Sequence, residues 1–411
     1  MTNLFELGVE DEQASKEVEF LPGGESVLAE LGIDPVALKS TKMPRWKRTQ
    51  YRAVINWLTK YKSQADAPNL EKMRGYLEAF HHFCEVEAWE EASKILGIRP
   101  NNIPTKQADK GLDSQLINWG YYHELVELCN RILGKLSPIL DAMLLNNLGC
   151  SYMALGDNTK SIDYSKHSLA LYREMKYRLG EGTALGNIGI AYKNLGEYAQ
   201  AIKYQQQSLL IVIETKNREG ELAALGNLGV IYKHLGDYAQ AINCYQQSLL
   251  LSREIGDRNS EGTALVNLGV ICQNIGEYSQ AIKYHHQSWA IAIETEDRHG
   301  EGNALSNLGK TYLGLEDYTK AIDYSLQGLA IWRTIGSRYK EGIALMNLGL
   351  AHYCQGDCNR ATDFYQQSLA IAQEIQDRQG QEKVLVCMVN AYHALGKYDK
   401  ATEFYHQYLE I

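Results

Sequence analysis

The residues best suited to binding chemistry in this sequence are asparagines that recur every forty positions. They stand at Asn147, Asn187, Asn227, Asn267, Asn307 and Asn347. An asparagine amide offers both hydrogen-bond donors and an acceptor, so it can pair with a peptide unit whatever side chain that unit carries. A row of such amides would bind the backbone of an extended partner. The alternative is that the amides only bond neighbouring helices or one another.

Lysines and further amides lie close behind these asparagines. Five of them follow a member of the row by three to seven residues: Lys193, Asn194, Lys233, Asn274 and Lys310. Because the whole chain carries a net charge of −9, lysines concentrated on this face predict a ligand with acidic side chains. The alternative is that each lysine is simply solvated.

Arginine recurs with the same period. The six positions are Arg178, Arg218, Arg258, Arg298, Arg338 and Arg378. In five of the six cases a glutamate follows three residues later, at Glu181, Glu221, Glu261, Glu301 and Glu341. An arginine between two helices can bond the free carbonyls that end one helix or pair with an acid of the next. We therefore interpret this column as structural.

No set of residues in the sequence has the spacing of a catalytic or metal site. The adjacent histidines at 81–82 and at 285–286 would diverge on a helix and cannot easily share a metal. Cys354 and Cys358 are one helical turn apart but have no partners at ligand spacing. We expect a protein that is not an enzyme and that needs no cofactor or metal.

The period of forty residues determines where the asparagine and arginine columns lie in the fold. In steps of forty residues, glycine recurs from Gly149 to Gly349 and alanine from Ala201 to Ala401. A fixed period of about 20 to 50 residues is the mark of a solenoid, in which equivalent side chains of stacked repeats form columns.

One repeat consists of two predicted helices. Leu185, Ile188 and Tyr192 recur at helical spacing and predict an amphipathic helix. Gly196 suits a left-handed C-cap, and the acidic residue that follows can cap a second helix. That helix carries small residues such as Ala201, which let the two helices approach closely. Because one such hairpin cannot bury its apolar face alone, neighbouring hairpins must stack.

Six positions of the repeat resemble a known family. The spacing of the tetratricopeptide repeat (TPR) signature is matched by Leu185, Gly189, Tyr192, Gly196, Tyr198 and Ala201. The match recurs in seven copies over roughly 139–411. The resemblance implies an all-α fold, a right-handed superhelical solenoid of antiparallel helix hairpins.

The length of the repeat indicates which subtype of the family the chain resembles. Forty residues, where the common TPR has about thirty-four, is similar to the long-helix subtype of the Leu-Gly-Asn spindle adaptors, kinesin light chains and bacterial tandem-TPR proteins. In kinesin light chains the equivalent asparagine row lines the concave groove and holds ligand backbone. The spindle adaptors keep a second asparagine three residues later, whereas most residues here predict a more apolar groove: Cys150, Ile190, Val230, Val270 and Leu350, with Lys310 between them.

Three domains are predicted. Residues 1–44 are polar and acidic and predict a flexible arm, which is either inert or carries a short motif for a partner or for the chain's own groove. Residues 45–138 predict a helical module with two degenerate TPR-like hairpins, at 69–97 and about 110–135, separated by a linker at 98–108. The seven repeats fill 139–411.

The helical module opens with a basic helix from residue 45 to about residue 61. The cluster of Lys42, Arg45, Lys47, Arg48 and Arg52 marks its start. We interpret the cluster as a solvated helix start, and the alternative is docking onto an acidic partner or onto nucleic acid.

The composition restricts the partners and the location. A sequence pI near 5.7 argues against general nucleic-acid binding, which needs a broad basic surface. The eight cysteines show no tandem framework, which is typical of a reducing cytosol. No apolar run approaches the roughly 18 residues of a spanning helix. We therefore expect a cytoplasmic protein without a membrane or nucleic-acid partner.

These features predict a non-catalytic scaffold or adaptor that binds a segment of a partner protein or peptide in the concave TPR groove. One alternative is a ligand- or peptide-gated regulator whose groove occupancy controls the N-terminal module. Another is a recognition subunit of a separately encoded enzyme. The apolar C-terminal helix, with Tyr408 and Leu409, leaves a homodimer through this end open.

Overall fold

The computed structural model describes residues 22–64, 66–97 and 111–411. The acidic stretch at 1–21 and the linker expected at 98–108 lie outside these ranges. Within them every regular element is helical, with 21 α-helices, one short 3-10 turn and no strand. The predicted all-α class is confirmed.

The N-terminal helices are short and irregularly spaced. They are α1 (Gly24–Glu30), a 3-10 turn (Ala37–Lys39), α2 (Arg45–Lys60), α3 (Asn69–Lys72), α4 (Arg74–Glu85), α5 (Trp89–Leu96), α6 (Leu112–Asn118) and α7 (Tyr122–Ile132). Helices α4 with α5, and α6 with α7, occupy the stretches in which two degenerate hairpins were predicted. Phe80, Phe83 and Leu116 are fully buried in one core that these helices share.

Residues 22–44 differ from the flexible arm that the sequence predicted. Val27 and Leu28 on α1 and Leu38 on the 3-10 turn are buried in the same core as α2 and α4. The prediction was wrong for this stretch because its few apolar residues suffice to bury one face of a short helix. The described part of the arm is therefore packed.

Seven helical hairpins follow in sequence order. Their helices are α8 (Pro138–Ala154), α9 (Asn158–Glu174), α10 (Arg178–Asn194), α11 (Tyr198–Glu214), α12 (Arg218–Leu235), α13 (Tyr238–Ile255), α14 (Arg258–Asn274), α15 (Tyr278–Glu294), α16 (Arg298–Gly314), α17 (Tyr318–Ile335), α18 (Arg338–Cys354), α19 (Cys358–Glu374), α20 (Arg378–Ala394) and α21 (Tyr398–Glu410). We call the even-numbered members of this series the first helices and the odd-numbered members the second helices.

The turn within each hairpin follows from two residues. Gly236 ends α12 with φ of +77°, a conformation that glycine adopts without a Cβ penalty. The side chain of Asp237 then accepts a hydrogen bond from the backbone N–H of Gln240 and caps α13. A single tight turn therefore reverses the chain, as the sequence predicted.

The chain divides into two compact units, residues 1–204 and 205–411. In the second unit each helix from α12 to α21 packs against the next in chain order. The first helices of this unit also contact one another, α12 with α14, α14 with α16, α16 with α18 and α18 with α20. They form a continuous layer, which carries the candidate binding surface.

Candidate functional site

We use the term groove for the surface of residues 205–411 that the first helices α12, α14, α16, α18 and α20 line. Three cavities lie along it, with volumes of about 430, 200 and 450 Å³. Asn227 and Asn267 line the first cavity, and Asn267 also lines the second. Asn307 and Asn347 line the third, together with Lys310. Four of the six asparagines therefore lie at open cavities.

The two asparagines of the first unit have partners within the chain. Asn187 donates from Nδ2 to Oδ1 of Asn146 at 2.9 Å and also lies 3.3 Å from Sγ of Cys150. The Nδ2 of Asn147 lies 3.4 Å from a carboxylate oxygen of Asp113. These contacts match the alternative in which an amide bonds a neighbouring helix.

The other predicted site residues are more scattered. Lys233 and Asn274 lie outside the three cavities. Burial lowers the pKa of Lys233, which is half-buried near the end of α12. Asn194 donates from Nδ2 to Oδ1 of Asn158 at 3.2 Å, beside the turn that follows α10, and Lys193 precedes it on that helix. Lys193 and Asn194 thus belong to the first unit, and Lys233 and Asn274 line none of the three cavities at which the groove asparagines lie.

The groove is apolar between its amides. Val230 lines the 430 Å³ cavity and Leu350 the 450 Å³ cavity, one turn after Asn227 and Asn347 respectively. Asn267 directs its Nδ2 to the carbonyl oxygen of Thr263 on its own helix at 3.1 Å. A bound backbone could replace that contact, because a side chain that bonds its own helix on the surface exchanges partners at little cost.

The arginine column joins the repeats, as predicted. Arg333 at the end of α17 donates from Nε to Glu341 on α18 at 2.9 Å, and Arg338 donates to the other carboxylate oxygen at 2.6 Å. Arg338 also bonds Glu374 at the end of α19. Burial alone would raise the pKa of Glu341, but the two arginine hydrogen bonds hold the pKa below its usual value.

The same arrangement, in which two arginines bond one buried glutamate, recurs in alternate repeats. Glu181 and Glu261 are also buried, and each accepts hydrogen bonds from two arginines: Arg173 and Arg178, and Arg253 and Arg258. Glu221 and Glu301 pair with one arginine of their own helix, Arg218 and Arg298. This period of eighty residues was not predicted, although the arginines at 173, 253 and 333 could have shown it.

Sequence reasoning also missed part of the 450 Å³ cavity. Trp332, Lys340 and Lys383 line it beside Lys310. These residues belong to three different positions of the repeat, so no column contains them. A comparison of each repeat with its neighbours could have found them as departures from the pattern.

Other features of the described residues concern metals, thiols and membranes. Nowhere in these ranges do three or more His, Cys, Asp or Glu side chains come close enough to hold a metal. All eight cysteines lie within them as free thiols. The described helices include none with the length and apolarity that a bilayer crossing demands.

Three solved structures share the fold at low identity. A Signal Transduction ATPase with Numerous Domains from Pyrococcus horikoshii, which has a TPR sensor, gives a TM-score of 0.63 at 16% identity over 90% of this chain and 53% of its own. A Rap protein complexed with Competence and Sporulation Factor gives 0.52 at 16% over 94% and 97%. The quorum sensor NprR from B. thuringiensis gives 0.59 at 16% over 82% and 96%. This chain thus spans about half the length of the ATPase.

The family is shown by sequence as well as by fold. No curated protein matches the chain. A model of the tetratricopeptide repeat matches five overlapping stretches, residues 140–213, 180–254, 220–294, 260–334 and 300–374. Together they cover more than half of the chain, and their boundaries repeat the forty-residue period. The chain belongs to the tetratricopeptide repeat family.

Proposed function

We propose that this chain is a non-catalytic scaffold whose groove binds an extended segment of a partner protein or peptide. The observation that carries the proposal is the position of Asn227, Asn267, Asn307 and Asn347 at the three cavities of the groove. Each amide can pair with one peptide unit of a bound chain irrespective of sequence. The Rap protein of the same fold, which was solved with Competence and Sporulation Factor, supports a peptide or protein partner.

The groove would recognise its partner through both the backbone and the side chains of the bound segment. The amides hold the backbone, and apolar residues such as Val230 and Leu350 contact side chains between them. Lys310, which is exposed beside Asn307, attracts an acidic side chain of the partner. Several shallow contacts along one segment add up, so the affinity increases with the number of repeats engaged. We place this activity in the cytoplasm, where eight unpaired cysteines stay reduced.

The test removes the four groove amides together. A chain with Asn227→Ala, Asn267→Ala, Asn307→Ala and Asn347→Ala should remain helical, because alanine is the better helix former. We expect it to lose the proteins that the unmodified chain retains from native cytosol in an affinity capture read by mass spectrometry. The control carries Asn243→Ala and Asn359→Ala, which are exposed on second helices. Equal retention by the fourfold variant and the control would refute the proposal.

A ligand-gated regulator is the second candidate function. The structural matches to the Rap protein and to NprR cover 94% and 82% of this chain, which is more than the repeat region alone. In this scheme a segment bound in the groove changes the position of the N-terminal module. Fluorescent probes near residues 60 and 390 would report it: a change of distance on partner binding supports the regulator, and a constant distance supports the passive scaffold.

A further inference from the structure

The third of the three groove cavities, to which Asn307 and Asn347 contribute, is built differently from the rest of the array. It has a volume of about 450 Å³, within the range of small-molecule sites. Helices α16 to α20 contribute to it. We call it the lysine cavity, because Lys310 from α16, Lys340 from α18 and Lys383 from α20 all line it.

The three lysines are departures from the repeat pattern. Lys340 stands at a position that Gly180, Gly220, Ser260, Gly300 and Gly380 occupy in other repeats. Lys383 is equivalent to Thr183, Ala223, Thr263, Asn303 and Ile343, and Lys310 to a mostly apolar column. Three changes at three unrelated positions of the repeat thus converge on one cavity. The repeat itself does not need these charges for its fold, since its other copies lack them.

The aromatic wall of the cavity is a fourth departure. Trp332 stands where four other repeats have Val212, Ser252, Ala292 and Ala372 and a fifth has the smaller aromatic Tyr172. Its ring fits because Gly302 faces it, and a Cβ at Gly302 would lie 2.7 Å from the ring. The indole Nε1 donates to Oγ of Ser306 at 3.0 Å, which fixes the ring in place.

The rest of the lining is an apolar floor. Ile343, Met346, Leu350, Ile371 and Ile375 come from both helices of one hairpin. An apolar surface of this kind favours a ligand with a hydrocarbon or aromatic body, because burial removes that body from water.

The charge of the cavity is not compensated from within. In the part of the chain that the structure describes, none of the three lysines forms an ion pair. Lys340 lies 3.3 Å from Oδ1 of Asn303 and 5.7 Å from the centre of the Trp332 ring, both neutral groups. The one acidic lining residue, Asp377, accepts from the backbone N–H of Gly380 as the cap of α20. A bound anion would therefore neutralise the positive charge of this cavity.

We propose that the lysine cavity binds a small amphipathic anion, with the apolar body of the ligand on the isoleucine and tryptophan wall and its charged group among Lys310, Lys340 and Lys383. Cations around a partly enclosed apolar cavity attract such an anion more strongly than scattered surface lysines do. This site is distinct from the backbone-binding role of the asparagines and does not depend on a protein partner. A bound anion would also cover Asn307 and Asn347, so it would compete with a partner segment at this end of the groove.

Decanoate is a suitable probe, titrated calorimetrically into the full chain below the concentration at which it forms micelles. Decan-1-ol has the same apolar body without the charge, and acetate has the charge without the body. We expect one decanoate to bind per chain, at least about tenfold more tightly than either comparison compound. Decanol binding as tightly as decanoate, or no binding of decanoate at all, would overturn the proposal.

A triple variant tests the location with residues that the chain itself uses at equivalent positions. Lys310→Val, Lys340→Ser and Lys383→Thr copy Val270, Ser260 and Thr263, so the hairpins should keep their fold. The variant should bind decanoate about tenfold more weakly or worse. The control removes the same charge outside the cavity, with Lys203→Asn, Lys216→Gln and Lys283→Asn, and should bind as the parent does. Equal affinities of the two variants would place the anion elsewhere and contradict the assignment.

Discussion

In five of the seven hairpins, a residue of the second helix that varies between repeats lies against a glycine of the first helix. The second helix carries Ser165, Tyr245, His285, Ser325 or Tyr365, and the glycine sixteen residues earlier lies against it. The missing Cβ leaves room for side chains as different as serine and tyrosine. His285 is the member of this set whose ordinary pKa lies near neutrality. It is fully buried, and neither ring nitrogen has a hydrogen-bond partner among the described residues.

This buried histidine makes stability depend on pH. Burial, with a smaller effect of His286, lowers the pKa of His285 from 6.5 to about 4. Between these values the unfolded chain binds more protons than the folded chain, so the free energy of unfolding falls as the pH falls from 6.5 towards 4. The loss approaches roughly 3 kcal/mol at the acid end. Urea unfolding at pH 7.5 and at pH 4.5 measures it.

The matched variant is His285→Tyr, because tyrosine fills the same position in three other repeats, at Tyr245, Tyr365 and Tyr405. It should lose less stability between the two pH values than the parent, and an exposed control, His167→Gln, should behave as the parent does. Burial also lowers the pKa of His352, so part of the acid sensitivity should persist in the variant. Identical pH profiles of the parent and His285→Tyr would show that His285 is protonated without cost.

The stability of each helical hairpin depends on how closely its two helices approach each other. On α12, Gly229 faces Tyr245, and a Cβ there would lie 2.6 Å from the ring. At Gly226, three residues earlier on the same helix, a Cβ would meet no atom within 4 Å beyond the adjacent residues and the backbone of its own helix. Substitution of Gly229 therefore tests whether there is space for a side chain, whereas substitution of Gly226 tests helix propensity alone.

Alanine at these two positions should have opposite effects. Gly229→Ala should lower the free energy of unfolding by about 1 to 3 kcal/mol, because the extra methyl group must displace a packed ring. Gly226→Ala should raise it by about 0.5 to 1 kcal/mol, because alanine favours the helix over glycine. Chemical denaturation of the two single variants measures both values. A similar change in the two variants would contradict the close approach described for α12 and α13.

Helix positions and the arginine column were predictable from single repeats, because each depends on residues close in sequence. Gly236 and Asp237 specify one turn, and Arg338 precedes Glu341 by three positions. The burial of Val27 and Leu28 was not predictable, since it depends on which helix covers them. The lysine cavity was missed because Lys310, Lys340 and Lys383 meet only after three hairpins have stacked. The partners of Asn187 likewise come from a preceding helix.

Across the whole molecule, the period of forty residues repeats one local sequence pattern along a long candidate binding surface. The first helices of residues 205–411 contact their successors directly, and their amides recur at each step. The side chains along the surface can therefore differ from repeat to repeat without a change of fold. The asparagine amides recur in the repeats, whereas the three lysines and Trp332 occur only at the lysine cavity. We infer that the asparagines hold the backbone of a partner and that the lysines and Trp332 confer selectivity for a ligand.

Site-specific photo-crosslinking tests whether partners bind in the groove. A photoreactive amino acid is placed either at Val230, which lines the 430 Å³ cavity, or at Leu250, which is 67% exposed on a second helix. After irradiation in native cytosol, we expect discrete covalent adducts from position 230 and few from position 250. Adducts formed mainly from position 250 would place the partner on the second helices and refute binding in the groove.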